Sequence, residues 1–401
     1  MKILHAHYRY DPYGGGERYL HDLCAAQMQA GHTVSILTDA KMCGGSLYGE
    51  PIYGVEASLG LRSGLRAQKR VLEIVDAVAP DIVHLHYTYW FLSPLIVQAL
   101  HARRPVLKTV HSLGLVCFHI GQETDKMYKE AICQFPMGLG CVLRGCVSIR
   151  DEGLRKMLFC LWEMRVAKAV DKVVVGSQYV RQELLRNGFA ANKIAILPLY
   201  THKRAPVCLW TLSERVILFV GRLQETKGLM LLIAALHLLK DKAWRAEIVG
   251  DGPLRQEAQA LITRLGLEHR ITLCGTLPPA QVDEHYQRAY LVVMPSLIPE
   301  SFGLVGIEAM AFGKPVVAFA SGGITEWLVD QDTGLVVERG NVGALAEKLG
   351  QLLDNPTLAQ AMGARGRERV ERSYRPTTHL ARLGALYEEV IGQRRQTQVA
   401  P

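Results

Sequence analysis

The chain has 401 residues, 49% of them hydrophobic and 21% charged, with a formal net charge of +8. That length exceeds what one core usually serves, so two domains are expected, and the balance of residue types places the chain among globular proteins. The excess of cations suits an anionic partner, whether nucleotide phosphates, a lipid phosphate, an anionic membrane surface or nucleic acid. The opening segment MKILHAHYRYDPYGGGER has no apolar signal-type run, and no stretch of about 18 apolar residues follows, which argues against a secretory signal and a spanning helix. Nine Cys form no disulfide framework in a chain this long, and a reducing cytoplasm is the expected setting.

Short apolar runs alternate with longer amphipathic stretches, the mark of a parallel sheet wrapped by helices. In the first half, strands are expected at 2–7, 33–38, 82–86, 106–110, 172–176 and 194–197. Helices are expected at 17–30, 66–78, 93–103, 155–169 and 179–187. The pattern then restarts. Strands are expected at 216–220, 246–249, 271–274, 291–294, 316–318 and 334–337, with helices at 228–240, 253–265, 280–289, 304–312 and 342–355. The join falls in the polar, Pro-containing stretch 201–213. This organisation predicts an N-terminal domain over 1–205, a C-terminal domain over 206–375, and a tail over 376–401 whose helix packs back on the first domain. Residues 393–401 are polar and expected to fray. The stretch 113–153 is Gly- and Cys-rich without periodicity, which predicts a long loop.

Open parallel sheets bind ligands at the carboxyl ends of their strands. After the first strand stand Gly14, Gly15 and Gly16, opening a helix. Consecutive glycines permit close approach of a phosphate to a helix N-terminus, and a tight turn alone also explains them. The run is not a dinucleotide fingerprint, because the third glycine would fall at Tyr19. His5, His7, His84, His86 and His111 gather at strand ends. Pairs in H-x-H spacing share a face of a strand, so one cleft and conceivably a metal are suggested. Structural roles are the default for His5 and His84, and hydrogen bonding to a polyhydroxylated ligand suits His111.

In the second half, Arg222 ends a strand and Lys227 begins a helix. Two cations so placed suit a diphosphate, Arg as a fork and Lys as a point charge. Gly250 lies in a Val-Gly-Asp-Gly-Pro strand-to-helix turn, where Asp251 reads equally as a cap. The run Pro299-Glu300-Ser301-Phe302-Gly303-Leu304 leads into a helix carrying Glu308 on an otherwise apolar segment. Amides at that helix start can hold phosphate oxygens. A carboxylate at Glu308 needs partners, and ribose hydroxyls or a neighbouring Arg would serve. Glu326, in the first turn of the next helix, is explained by helix electrostatics.

At these residues the sequence resembles glycosyltransferase family 4, the retaining group-1 enzymes of the GT-B superfamily. The motifs GGGER, VHS, VGR…TKG, VGDGP and PESFGLVGIEAMAFGKPVVA occur in the family's order across nearly the whole chain. The resemblance implies an α/β GT-B fold, two Rossmann-like domains with parallel sheets facing an interdomain cleft. It implies retaining transfer of a sugar from a nucleotide-diphosphate co-substrate, with no obligatory cofactor or metal. Carried over by residue, Arg222 and Lys227 would neutralise the diphosphate and Glu300 would sit by the sugar hydroxyls. Ser301, Phe302, Gly303 and Leu304 would lie along phosphate and sugar, Glu308 would hold the ribose, and His111 would contact the sugar. Gly15, Gly16 and Gly250 would approach the donor. The chain departs from the family at Leu197–His202, where an Asn-Gly-Val-type run is common, and in the loop bearing Cys117, Cys133, Cys141 and Cys146.

Breaking an anomeric bond to a diphosphate builds negative charge on the leaving group, which fixed cations and amides would stabilise. No carboxylate pair of the hydrolase kind is evident, so a front-face reaction is expected, with the phosphate helping to deprotonate the acceptor. The acceptor is expected to be a glycan, a lipid-linked sugar or a small molecule, in cell-surface polysaccharide or glycoconjugate synthesis. The stretches 61–70 and 154–168 mix cations with large apolar groups, which fits either a peripheral anionic membrane contact or amphipathic core helices. A nucleotide-sugar epimerase or hydrolase, and a non-catalytic binding protein, remain alternatives. No motif supports nucleic acid as a partner.

Overall fold

The computed structural model describes residues 1–11, 15–43, 45–56, 61–88, 92–117, 133, 135–143, 145–147, 153–204 and 215–399. It divides into two compact units, one from the described parts of Met1–Thr124, Cys133–Pro198 and Thr377–Pro401, the other from Leu199–Pro376.

In the first unit the strands are β1 (Lys2–Ala6), β2 (Thr33–Asp39), β3 (Ile52–Val55), β4 (Ile82–Leu85), β5 (Val106–Val110), β6 (Lys172–Val175) and β7 (Ile194–Ile196). They form one sheet in the order β3-β2-β1-β4-β5-β6-β7, every pair parallel. β4 and β5 are buried at every position, as strands covered on both faces must be. The two faces differ in chemistry. Leu4, Ala6, Val83, Leu85, Val106 and Val110 lie in one apolar core. The alternate positions, His5, His84 and Thr109, make the other face polar, although all three are buried. Helices Gly15–Gln29 and Pro376–Val399 supply the hydrogen-bonding side chains that meet them. Buried polar groups tolerate the fold only when so paired.

The second unit contains β8 (Val216–Val220), β9 (Arg245–Val249), β10 (Ile271–Gly275), β11 (Leu291–Met294), β12 (Val316–Phe319) and β13 (Gly334–Val337). Their order is β10-β9-β8-β11-β12-β13, again all parallel. Here both faces are apolar. Ile217, Phe219, Leu291 and Val293 join one core, while Leu218, Val292 and Met294 join the other, as the two-residue period of a strand requires. Asn341 and Asn355 cap the last two helices of this unit by accepting from the amides of Ala344 at 2.9 Å and Leu358 at 3.0 Å.

In both sheets the order reverses beside the first strand, between β1 and β4 and between β8 and β11. Crevices open at the carboxyl ends of strands at such points, and the candidate residues lie there.

Several expectations need correction. Ile52–Val55 is a strand that the sequence reading missed, because a Gly interrupts an edge strand of only four residues. Pro356–Ser373 is a full helix. Its Gly363 and Gly366 masked it, yet both are buried, and a Cβ at Gly366 would lie 3.1 Å from Met310. These are packing glycines at a close helix crossing. The tail does not fray at 393, since the last helix runs to Val399. Arg394 donates to the His101 carbonyl and lies 3.6 Å from the Asp171 carboxylate. Within 113–153, a short helix forms at Leu139–Leu143, while 118–132, 134, 144 and 148–152 lie outside the described residues. The chain passes between units at Pro198–Leu199 rather than within 201–213. Thr201 N–H donates to the Tyr374 carbonyl at 3.0 Å, and Arg375 donates to the Lys203 carbonyl at 2.7 Å. These bonds tie the start of the join to the second unit. Residues 205–214 of that stretch lie outside the described residues.

The last helix buries Leu383, Tyr387 and Val390 in the first unit's side of the division. Leu383→Ala should therefore cost about 2–5 kcal/mol of that unit's stability. The urea midpoint of the unit measures it, and a midpoint equal to wild type would contradict the burial.

Candidate functional site

In the second unit the site grows from two neighbouring strand ends. β8 ends at Val220, and exposed Arg222 follows it. A single tight turn, Glu225–Lys227, then closes on Gly228 at φ 69°. A Cβ at Gly228 would lie 1.9 Å from the Pro295 carbonyl oxygen, so only glycine lets this turn press against the end of β11. The Leu297 amide donates to the Thr226 carbonyl at 2.9 Å and locks the two loops together.

That contact delivers Lys227 to Glu300. The ammonium Nζ donates to Glu300 Oε1 at 2.6 Å, and the Ser296 hydroxyl donates to the same oxygen at 2.7 Å. Only 15% of the Glu300 side chain is exposed. Burial alone would raise its pKa. The Lys227 charge and the two hydrogen bonds outweigh that, and the carboxyl sits below its ordinary range. It is a fixed anion beside a fixed cation.

The backbone around Glu300 is equally constrained. Its carbonyl accepts from the Gly323 amide at 2.7 Å, and Gly322, at φ 62°, lies so close that a Cβ there would meet the same oxygen at 2.3 Å. Trp327 Nε1 donates to the Phe302 carbonyl at 2.6 Å. Gly303 starts the helix Leu304–Ala311, so Ser301, Phe302, Gly303 and Leu304 present their backbone at the N-terminal end of a helix dipole. Farther along that helix, the Tyr286 hydroxyl donates to Glu308 Oε2 at 3.0 Å. Tyr286 is itself held by stacking on Phe312 at 5.4 Å. Gly250 sits at φ 133° with its amide donating to the Gly275 carbonyl at 2.8 Å, and a Cβ there would meet Gly221 O at 1.9 Å. Its observed task is close backbone packing behind the β8 end. Asp251 accepts from the Gly252 amide at 2.7 Å, as a turn residue does.

In the first unit, His111 follows β5 and stacks on Tyr87 at 5.2 Å. A Cβ at Gly16 would touch the same Tyr87 ring at 2.9 Å, so Gly16 and His111 pack about one aromatic ring. Gly15 is exposed at the start of the helix. Gly14 lies outside the described residues. His111 joins His86, His5 and His84 in a continuous network. His111 Nε2 pairs with His86 Nδ1 at 3.0 Å, His86 Nε2 with His5 Nδ1 at 2.9 Å, and His5 Nε2 with Gln27 Oε1 at 2.8 Å. His84 pairs with Tyr387 at 2.7 Å and Thr109 at 2.7 Å. His7 Nδ1 accepts from the Arg9 amide at 3.2 Å, while its buried Nε2 has no partner among the described residues.

His5, His84 and His86 are close enough to suggest a metal, with ligand atoms within 4.8 Å of one another. Both ring nitrogens of each are already hydrogen-bonded. A cation would have to displace those bonds inside a sealed polar layer, so the residues do not fit an ion. Among the described residues, no such cluster includes Cys117, Cys133, Cys141 or Cys146.

Ser296, Tyr286, Trp327, Tyr87 and Gln27 are partners that the sequence reading did not single out. Ser296 stands inside the PSLIPES run and could have been found by its nearness to Glu300. The other four come from distant elements and carry no local signal.

Burial lowers His5 and His7 to about 4 and His111 to about 3, against an ordinary 6.5. The unfolded chain therefore binds protons that the fold excludes as the pH falls below 6.5. Stability of the first unit should be flat above that value and decline below it, down to the folded-state values. A urea midpoint unchanged between about pH 7.5 and about pH 5.5 would contradict neutral histidines. In the second unit, Lys227→Met should leave burial dominant and move the Glu300 carboxyl upward, which carboxyl-carbon NMR titration reads.

The model described as "Glycosyl transferases group 1" matches residues 208–369, and that described as "Glycosyltransferase Family 4" matches residues 13–199. A D-inositol 3-phosphate glycosyltransferase of Corynebacterium glutamicum is 35% identical over 346 residues, covering 79% of this chain and 74% of that protein. An uncharacterized glycosyltransferase of Methanocaldococcus jannaschii is 30% identical over 198 residues, or 49% of this chain and 54% of its own, so that match spans about half of the relative. Among solved structures, Alr3699/HepE of Anabaena, in complex with UDP and glucose, aligns with a TM-score of 0.74 at 21% identity over 97% of this chain and 100% of that one. Two all-parallel units of the same order, an anchored Glu300 beside Lys227, and identity extending across most of a named relative converge: the chain belongs to glycosyltransferase family 4 and has the GT-B fold.

Proposed function

We propose that this protein transfers a sugar from a UDP- or GDP-linked donor to an acceptor hydroxyl with retention of anomeric configuration. The observation that carries the reading is the Lys227–Glu300–Ser296 constellation at the point where the strand order of the second sheet reverses. A carboxylate locked beside a helix N-terminus can accept hydrogen bonds from sugar hydroxyls, and its fixed position costs no reorganisation during reaction. Arg222 and Lys227 supply positive charge for the departing diphosphate. The amides at Ser301–Leu304 add a dipole of the same sense. Glu308, oriented by Tyr286, takes the ribose hydroxyls. By the family resemblance, His111 contacts the sugar, and Gly15 and Gly16 approach the phosphates. Retention follows from a front-face path, in which a leaving-group oxygen takes the acceptor's proton as the new bond forms on the face just vacated. No metal or further cofactor enters this scheme.

The complex of HepE with UDP and glucose supports a nucleoside-diphosphate donor. The inositol phosphate in the name of the Corynebacterium relative supports a polyol or sugar hydroxyl as acceptor, within the wider class of glycan, lipid-linked and small-molecule acceptors used in glycoconjugate synthesis. A peripheral membrane contact has support from one surface. Arg155, Leu158, Trp162 and Arg165 form an exposed stripe along the helix Gly153–Ala169, apolar groups flanked by cations as interfacial helices display. Among the described residues no helix is long and apolar enough to cross a membrane.

Thermal stabilisation by UDP, GDP and their sugars tests the donor. One base at about 100 times its Kd should stabilise by about 2.7 kcal/mol, and the shift should vanish in Arg222→Ala and Glu308→Ala. A flat response to the whole panel would favour a non-catalytic binding protein. With the donor identified, Arg222→Ala should lower kcat on the order of 10²–10³-fold, and an inverted product anomer, read by NMR, would overturn retention. Flotation with anionic vesicles should be lost in Trp162→Glu, and absence of binding by the unaltered protein would remove the membrane contact.

A further inference from the structure

Four histidines, a glutamine, a tyrosine and a threonine share a single hydrogen-bond network on the buried polar face of the first sheet. Most of it lies away from the reacting groups, and neither the proposed transfer nor the packing of an apolar core calls for it. Burial keeps the imidazoles neutral at neutral pH. A neutral imidazole has one N–H and one lone pair, so each ring in the chain must donate on one side and accept on the other.

The sense of the chain is set at Gln27. Its Oε1 faces His5 Nε2 at 2.8 Å, and its Nε2 donates to the Tyr387 hydroxyl at 3.2 Å. A carbonyl oxygen only accepts, so His5 carries its proton on Nε2 and its lone pair on Nδ1. His86 then donates from Nε2 to His5 Nδ1, at 2.9 Å, and keeps its lone pair on Nδ1. His111 in turn donates from Nε2 to His86 Nδ1, at 3.0 Å. The side branch agrees. Tyr387 accepts from Gln27 and spends its single proton on His84 Nδ1, at 2.7 Å, and His84 Nε2–H donates to Thr109 Oγ1, at 2.7 Å.

We infer that Gln27, His5 and His86 are positioning residues that hold His111 as its Nε2–H tautomer, so that its Nδ1 is a hydrogen-bond acceptor. The consequence rests on the reading above that His111 meets the transferred sugar. An acceptor there receives a hydrogen bond from a sugar hydroxyl, whose proton stays on oxygen, and makes that oxygen more electron-rich. That polarity suits a sugar on which positive charge grows as the anomeric bond breaks, whereas an N–H donor or an imidazolium would oppose it. The chain also explains why a glutamine from the helix Gly15–Gln29 and a tyrosine from the last helix converge on the same buried layer. One end of the network orients the other through three rings.

The test reads the tautomer itself. In full-length protein labelled with ¹⁵N-histidine, long-range proton–nitrogen correlation distinguishes a protonated ring nitrogen from a bare one, and His111→Gln assigns the signal. The unaltered protein should show His111 with Nε2 protonated and Nδ1 bare. Gln27→Leu removes the terminal acceptor and should produce a mixture of His111 tautomers. Gln27→Glu keeps an obligatory acceptor and should retain the wild-type tautomer. A proton on His111 Nδ1 in the unaltered protein, or an unchanged tautomer in Gln27→Leu, would overturn the inference. If Gln27→Leu does not fold, the unaltered protein and Gln27→Glu still decide, because any difference between their His111 tautomers contradicts the chain. The nucleotide panel with Arg222→Ala is independent of this signal. A failed donor reading with an intact tautomer chain is thus distinguishable from the reverse.

Discussion

A carboxylate taken out of water must be paired or protonated, and the second unit is arranged around keeping Glu300 paired. Lys227 reaches it at 2.6 Å only because the turn before Gly228 presses against Pro295. Its backbone stays in place because the Gly322–Gly323 turn closes on its carbonyl and Trp327 holds the carbonyl of Phe302. These supports come from the segments that follow β8, β11 and β12. The parallel order places those loops at the same edge of the sheet. The carboxylate is therefore rigid, ionised and directed before any ligand arrives, which is the preorganisation that an electrostatic site requires.

The first unit meets the same burial penalty in the opposite way. Its buried network histidines His5, His84 and His86 bond to neutral partners rather than to carboxylates. Burial makes them neutral, and other histidines, Gln27, Tyr387 and Thr109 satisfy them. Neutrality removes a charge from the protein side and leaves directionality as what the network can transmit. The two units thus contribute different electrostatics, fixed ions in one and an oriented dipole chain in the other. The last helix is part of this arrangement, since Tyr387 and His379 engage His84 and Tyr19 at 2.7 Å and 2.8 Å. Removing it would strip partners from polar groups that are completely buried, which is more damaging than uncovering an apolar patch of equal size.

Much of this was legible in the residues. The alternation of apolar runs and amphipathic stretches located twelve of the thirteen strands, because burial on both faces forces near-continuous Val, Ile and Leu. The order of the motifs identified the family, because glycines and prolines at turns are dictated by local backbone geometry. The residues Arg222, Lys227, Glu300 and Glu308 were visible as charges at strand and helix ends. What escaped was whatever depended on a neighbour distant in sequence. The helix Pro356–Ser373 hid behind glycines whose purpose is contact with Met310. Nothing near Glu308 announces Tyr286, and nothing near His5 announces Gln27.

By itself, then, the sequence determined the fold class, the family and the chemical types gathered at the strand ends, since periodicity and turn chemistry are short-range properties. Only the tertiary structure decided that Glu300 is ionised rather than merely acidic, and that His5, His84, His86 and His111 share one hydrogen-bonded layer. Those outcomes depend on burial and on partners as far as 22, 73 and 303 positions away, and a protonation state belongs to an environment rather than to a residue.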